Sequence, residues 1–579
     1  MLRFNTFFIA VFFAGILSSQ AQERLAAFQM NERLGRGINM GNCFEAPSET
    51  AWGNPWDPEY FKIMADLGFS HVRLPVRWEP ADRSMANSPY TIAPEFLDRI
   101  QQVVDTALSN GLHIIVNMHH HEALYEDPAG QKDRFLSQWD QIANRFQDYP
   151  DSLLFEVLNE PHGNLTPALW NEYFADALAQ IRQTNPTRIV LMGTAEYGGL
   201  GGVVHLQLPD DEYLILSVHY YNPFNFTHQG AEWVGPQADE WLGTEWNDTE
   251  ADRETVASDF AYALQYSETN NIPVHVGEFG AYEKADLDSR VRWTTFLGRW
   301  FEEQNLSWAY WEFSAGFGIY DPATEQYLTP LVDALLHNEM PEATPVVAIP
   351  VYASDFSSGT DGWVIQNGGG ASSSLTASDG KLNVSIANAG TETWHVQLIK
   401  RNIPLEQDKM YRVSFKAVAN ANRSATFYAG RDSDPWNAYS GYNGISITTI
   451  ETAYSFTFTM TNPTDMNARL VFDFGTDTTG VSVTDIKVDE LYLMTTSLDD
   501  TMLQPDLNIY PNPFETLLYC KDLDKFEYLE VYDLQGRLWR RSSIHPNEQV
   551  INLENIPQGM YVLRLEGKSN RESIKIVKK

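Results

Sequence analysis

The chain has 579 residues, a formal net charge of -37 and a pI near 4.6. It is too long for one hydrophobic core, roughly three to four domains by length, and too acidic for a nucleic-acid partner, because no basic patch could supply the counterion release that drives such binding. A neutral polysaccharide is compatible with this surface, since its recognition rests on stacking and hydrogen bonds. Only two cysteines, Cys43 and Cys520, are present, which gives neither a disulfide framework nor a metal-ligand spacing.

The first residues show Arg3, an apolar run to Leu17 and the small-residue site Ser19-Gln20-Ala21. This pattern predicts a secretory signal peptide over 1–21. The run is shorter than the roughly 20 residues that span a bilayer, and no other segment is apolar for long enough, so no transmembrane segment is expected.

From 22 to 340, strand-like runs alternate with amphipathic helical stretches. The runs are RGINMGN (36–42), HVRLPVRW (71–78), LHIIVNMHH (112–120), LLFEVLNE (153–160), RIVLMGT (188–194), LILSVHYY (214–221), PVHVGEFG (273–280) and SWAYWEFS (307–314). Between them lie stretches such as 96–111, with apolar residues at helical spacing and a stop at Gly111. This is the pattern of an α/β fold, a (β/α)8 TIM barrel, whose active site gathers where the strands end. The polar residues cluster there: Asn42, Arg73, His119, His120, Asn159, Glu160, His219, Tyr221, Glu278 and Trp311.

Two of these runs deliver a glutamate each, Glu160 and Glu278. A pair of carboxyl groups facing one cleft is what glycosidic cleavage requires: one protonates the leaving oxygen while the other attacks the sugar carbon. Glu160 is assigned as acid/base, because Asn159 before it can hold a sugar 2-hydroxyl and Pro161 after it fixes the turn. Glu278 is then the nucleophile, with Arg73 and Tyr221 holding its carboxylate. Trp311 is expected to stack on a sugar face. The run His119-His120-His121 is not read as a metal site, since consecutive strand side chains point to opposite faces. His119 and His120 are expected to hydrogen-bond to sugar or carboxylate, and His121 to be exposed.

The proline-rich stretch 341–351 reads as a linker. Residues 352–495 alternate short β-branched and aromatic runs with Gly, Asn, Asp and Ser turns, an all-β sandwich; Trp363 belongs to its core. A second linker is expected at 496–506, then a smaller β-sandwich over 507–579.

The Asn-Glu-Pro at 159–161, Gly-Glu-Phe-Gly at 277–280, Arg73, His119, His219, Tyr221 and Trp311 together resemble glycoside hydrolase family 5. The resemblance implies retaining hydrolysis with Glu160 and Glu278 in the roles above, Arg73, His119, Asn159, His219 and Tyr221 in support, and no catalytic cofactor or metal. It also implies substrate contacts at Asn42, Glu45, His120, Trp233 and Trp311. The segment 392–417 is similar to carbohydrate-binding module families 4 and 9, implying ligand contacts at Trp394, Gln397, Trp436 and Tyr439, and a structural calcium to which Asp355 and Asp489 would contribute. The end of the chain, from YPNPF at 510–514, resembles the C-terminal sorting domain of type IX secretion. The expectation is a secreted or surface-held endo-β-1,4-glucanase, with β-glucan and the secretion machinery as partners and the middle sandwich holding the enzyme near its substrate. Mannan, lichenan or xyloglucan is the alternative substrate, and a non-catalytic polysaccharide-binding protein the remote alternative.

Overall fold

A computed structural model describes residues 25–493 and 509–579, apart from 522, 534–536, 546–547 and 568–570. The signal peptide expected at 1–21 and the linker expected at 496–506 lie outside the described residues. Eight parallel strands close into a barrel in chain order. They are β1 (Arg36–Asn39), β2 (His71–Leu74), β3 (His113–Asn117), β4 (Leu153–Glu156), β5 (Val190–Gly193), β6 (Leu214–His219), β7 (Val274–Phe279) and β8 (Ser307–Tyr310). Every predicted run contains one of these strands, but most runs extend several residues past the strand's end. Those residues form the rim, where polar side chains replace the apolar alternation.

Strand alternation sends side chains to two different cores. Val72, Ile114, Val116, Leu153 and Phe155 face outward and pack under the surrounding helices. The helix Pro94–Ser109, predicted from 96, buries Ile100, Val103, Val104 and Ala107 against this layer. Ile115, Leu154, Leu191 and Ile215 instead pack with Ala27, Met30 and Leu34 of a helix over Leu25–Leu34. That helix was not foreseen; it plugs the barrel at the end opposite the rim. Two histidines share this inner floor, His71 and His275, with ring centroids 5.2 Å apart. His71 donates through Nδ1 to the Leu34 carbonyl at 2.7 Å, and His275 Nδ1 lies 2.8 Å from Ser307 Oγ. Gly37 is required beside them, since a Cβ there would stand 2.1 Å from the His71 ring.

The middle domain packs a five-stranded sheet against a six-stranded one around Phe415, Phe427, Phe456 and Phe472, and Trp363 is buried with them. The expected linker at 341–351 is a linker only in part. Val346–Ser354 is a strand that pairs antiparallel with Val481–Leu493, because its alternating Val347 and Ile349 find an apolar seat. That seat also takes Tyr532 and Val562 of the C-terminal sandwich, where Arg564 lies 3.3 Å from Glu490 with both side chains buried. The middle sandwich also rests on the barrel: Ser258 Oγ donates to the Ala453 carbonyl at 3.0 Å, and Asn422 Nδ2 to Tyr262 Oη at 3.0 Å. Among the described residues, no helix is long and apolar enough to cross a membrane.

Burial pushes His71 down to about 3, whereas an unfolded histidine titrates near 6.5. Below that value the unfolded chain takes up a proton that the folded floor refuses, so His71 subtracts stability as pH falls from 6.5 toward 3, by up to about 1.4 kcal/mol per pH unit. His71→Gln keeps a donor for Leu34. Its denaturant midpoint is expected to fall less steeply than that of the unmodified chain between pH 6.5 and 4; parallel slopes would rule the effect out.

Candidate active site

At the rim end of β2, Arg73 is fully buried. A guanidinium without water must find acceptors for its fork of donors. Nε and Nη2 donate to the two oxygens of Glu156 at 2.6 and 2.8 Å, Nη1 donates to Glu278 Oε1 at 2.7 Å, and Asn39 and Asn159 accept at 2.9 and 2.8 Å. Burial alone would lower the Arg73 pKa, but the charges of Glu156 and Glu278 raise it above its ordinary value. Five polar groups from β1, β2, β7 and the β4 segment are thus locked together. Asn159 spends its carbonyl oxygen on Arg73, which leaves its NH2 group to donate elsewhere.

Glu278 Oε2, on the other side of the same carboxylate, accepts from Tyr221 Oη at 2.9 Å. His219, the last residue of β6, places Nδ1 2.8 Å from Glu160 Oε1 and 3.7 Å from Glu278 Oε2. Burial opposes a charge on His219, but Glu278 and the hydrogen bond to Glu160 outweigh it and raise its pKa. Glu160 follows β4 with φ of 46°, a left-handed conformation that a residue with a Cβ seldom takes. One donor atom each from Glu160, His219 and Glu278 lies within 4.8 Å of the others, the one such group of three among the described residues. The same three residues have the geometry to hold a cation, but the two carboxylates already meet Arg73, Tyr221 and His219.

The other expected residues divide. His119 is buried and its ring stacks on Trp311, centroids 5.5 Å apart and 11° from parallel. Burial holds it in the neutral form, well below the ordinary histidine value. Asn42 and His120 are half-buried at the rim, with the His120 ring 6.2 Å from the exposed Trp52. Trp233 is 60% exposed, set edge-on to Tyr282. Glu45 is 1% exposed and takes the backbone N–H groups of Asn42 and Cys43, which shapes the loop after β1. Burial pushes its carboxyl up to about 8. His121, expected to be exposed, is a correction. It is buried and accepts from the Leu124 backbone N–H to cap the helix Glu122–Glu126.

In the middle sandwich, Trp394 and Trp436 are exposed, the latter beneath the Arg469 guanidinium at 4.6 Å. Gln397 is nearly buried and gives its amide to Asp473 at 2.8 Å. Tyr439 is buried, with its hydroxyl on Asp465, so it presents no open ring. The two aspartates expected at a calcium do not meet: Asp489 lies opposite Pro350 in the strand register and pairs with Arg412 at 2.9 Å, while Asp355 caps the turn at Ser357.

Sequence reading missed Glu156, Asn39 and Tyr125, whose hydroxyl donates to the Asn159 carbonyl at 2.7 Å. The signal for Glu156 was present: an acid inside the otherwise apolar LLFEV has no reason to be buried without a cation.

Three regions match known families. Residues 37–316 match "Cellulase (glycosyl hydrolase family 5)", 350–479 "Carbohydrate binding domain", and 508–579 "Secretion system C-terminal sorting domain". Among solved structures, the endoglucanase Cel5A of Thermotoga maritima is 46% identical with a TM-score of 0.52, over 53% of this chain and 99% of that one; it has been solved with cellobiose and with mannotriose. Endoglucanase H of Acetivibrio thermocellus is 38% identical over 55% of this chain and 34% of its own length. Endoglucanase A of Paenibacillus barcinonensis is 31% identical over 47% of this chain and 77% of its own length. The chain spans about a third of the length of the first curated relatives it matches, 34% and 37%.

Arg73→Leu removes the shared cation and leaves two carboxylates facing a dry interior. Denaturant unfolding should show a loss of about 3–5 kcal/mol. Glu156→Gln, which still leaves Arg73 with Glu278 and the two asparagines, is expected to cost less; the reverse order would refute this account of the network.

Proposed function

Since the chain belongs to glycosyl hydrolase family 5, we propose that it is a secreted retaining endo-β-1,4-glucanase acting by double displacement. The observation that carries this reading is the 4.8 Å bound on the Glu160, His219 and Glu278 donor atoms. Retaining glycosidases hold their carboxyl groups about 5–5.5 Å apart, whereas inverting ones need about 6.5–9.5 Å to admit a water between them.

In the first step a Glu278 oxygen attacks the anomeric carbon as Glu160 gives its proton to the departing glycosidic oxygen. The C1–O bond breaks, a glycosyl ester forms on Glu278, and the shortened chain leaves as an alcohol. In the second step Glu160 takes a proton from water, the hydroxide adds to C1, and Glu278 departs as carboxylate. Arg73 and Tyr221 hold Glu278 from both sides, so it need not rotate to meet the sugar, and an oriented nucleophile removes much of the entropic barrier. Once Glu278 is esterified its negative charge is gone. His219 then has Glu160 as its remaining carboxylate partner and keeps it aimed at the water. The free NH2 of Asn159 suits the 2-hydroxyl, whose hydrogen bond strengthens in the transition state. Trp311, braced by His119, offers an apolar face to a sugar ring.

The cellobiose and mannotriose complexes of Thermotoga maritima Cel5A favour one second reading, a cleft that accepts both epimers at C2. The sorting-domain match over 508–579 supports export, with the tail as address.

Glu160→Ala is expected to lower turnover of cellulose chains by roughly 10²–10⁴, the usual span for a general acid, and to lower it less on a dinitrophenyl cellobioside, whose leaving group needs little protonation. Glu278→Gln should abolish both. Proton NMR of the first product should show the β-anomer; an initial α-anomer would overturn the retaining assignment, and reducing ends released from carboxymethyl cellulose, lichenan, glucomannan and xyloglucan rank the substrates.

A further inference from the structure

A cleft of about 940 Å³ opens beside Glu160, and its wall is not made by the barrel alone. On one side stand Glu160, Tyr197 and Tyr221; on the other stand Thr426, Tyr442 and Ser446 of the middle sandwich. Two junctions hold the sandwich there. The helix Glu250–Asn270 lies on the strand Thr452–Thr459, with Asp252 accepting from Thr457 Oγ1 and Glu254 lying 3.4 Å from Arg412. The short helix Leu200–His205 meets the strands Arg423–Gly430 and Asn443–Ile447, with His205 Nε2 3.4 Å from Ser424 Oγ and Ser446 Oγ 3.5 Å from the Gly201 carbonyl.

The sandwich side of the cleft is also the edge of a larger surface. Across the five-stranded sheet the strand register sets Gln366, Gln397, Asp473, Thr426 and Gly444 in one row. Thr426 and Gly444 at the end of that row line the cleft. Behind them Gln397 holds Asp473, and Tyr428 lies against Tyr442 with ring centroids 4.9 Å apart. Tyr442 itself is 64% exposed at the junction. At the usual strand spacing of roughly 4.8 Å the row runs about 19 Å away from the cleft.

We propose that the middle sandwich is part of the catalytic cleft, supplying the sites for the departing half of a β-glucan chain, with Tyr442 stacking on a sugar where the two domains join. The polarity follows from chemistry. Glu160 protonates the oxygen that leaves, so what lies in the cleft lined by Glu160 is the leaving chain. An aromatic ring, a hydroxyl and amides, on a chain of net charge -37, suit a neutral sugar polymer. This inference rests on the glucanase reading and goes beyond the expectation that the sandwich holds the enzyme near its substrate.

The test uses the full chain and three soluble or solid substrates: cellohexaose labelled with ¹⁸O at its reducing end, a dinitrophenyl cellobioside, and insoluble cellulose. Tyr442→Ala is expected to lower kcat/KM on cellohexaose about fivefold to tenfold, the worth of one stacked ring, and to move the cut so that the leaving fragment is shorter. The aryl cellobioside, whose leaving group is a single phenol, should be hydrolysed as before, and Tyr442→Phe should restore the hexaose rate. Unchanged cellohexaose kinetics with weakened retention on insoluble cellulose would overturn the proposal and leave the sandwich as a separate tether. Equal loss on hexaose and aryl glycoside would also overturn it, placing the effect at the carboxylates. An unmodified chain that cleaves neither substrate would instead overturn the glucanase reading itself.

Discussion

A guanidinium shut away from water is bearable only when its donors and its charge are both answered, and at the top of this barrel the answer comes from three separate stretches of chain. Arg73 has Glu156, Glu278, Asn159 and Asn39 around it at 2.6–2.9 Å. The arrangement forces β1, β2, β4 and β7 into one register at the rim, because none of these groups can be left unpaired cheaply in a low dielectric. It also explains why a cluster of like charges can exist there at all. The two buried carboxylates are tolerated because a cation sits between them, and the second oxygen of Glu278 is met by Tyr221. The orientation of the Glu278 carboxylate is therefore a property of the barrel's packing.

The opposite end of the same barrel obeys a different rule. There the interior is filled by Ile115, Leu154, Leu191 and Ile215, and the entering helix closes it with Ala27, Met30 and Leu34. Two neutral histidines and a glycine complete the floor. A dry, apolar base and a charged rim within a few strand residues of each other are what a (β/α)8 barrel offers an enzyme: rigidity below, exchangeable polar groups above.

Much of this was legible in the sequence for physical reasons. Period-two and period-3.6 apolar patterns marked the strands and helices, and turn residues marked the sandwich, since each must bury one face. Glu160, Glu278, Arg73 and Tyr221 were legible because strand ends deliver side chains to one rim. The hold of Glu45 on the loop after β1 was not legible, because the backbone N–H groups it satisfies are invisible in a string of letters. The same holds for Tyr439, whose hydroxyl is claimed by Asp465. The stretch 346–351 passed for linker because Pro350, with Pro341 and Pro345 before it, hid an alternation that only the partner strand Val481–Leu493 makes meaningful. Least legible was the seat of the sandwich on the barrel. It depends on contacts between residues some two hundred positions apart, such as Asp252 with Thr457, which no local pattern announces.

The seam between the middle and last sandwiches carries its own implication. Val347, Ile349 and Tyr492 meet Tyr532 and Val562 there, and Arg564 reaches Glu490 across it. A cut between 493 and 509 would leave these contacts in place, since all of the residues that make them lie outside that segment. Departure of the last sandwich would wet that strip and take the guanidinium away from Glu490, so leaving the seam carries a cost separate from that of breaking the chain.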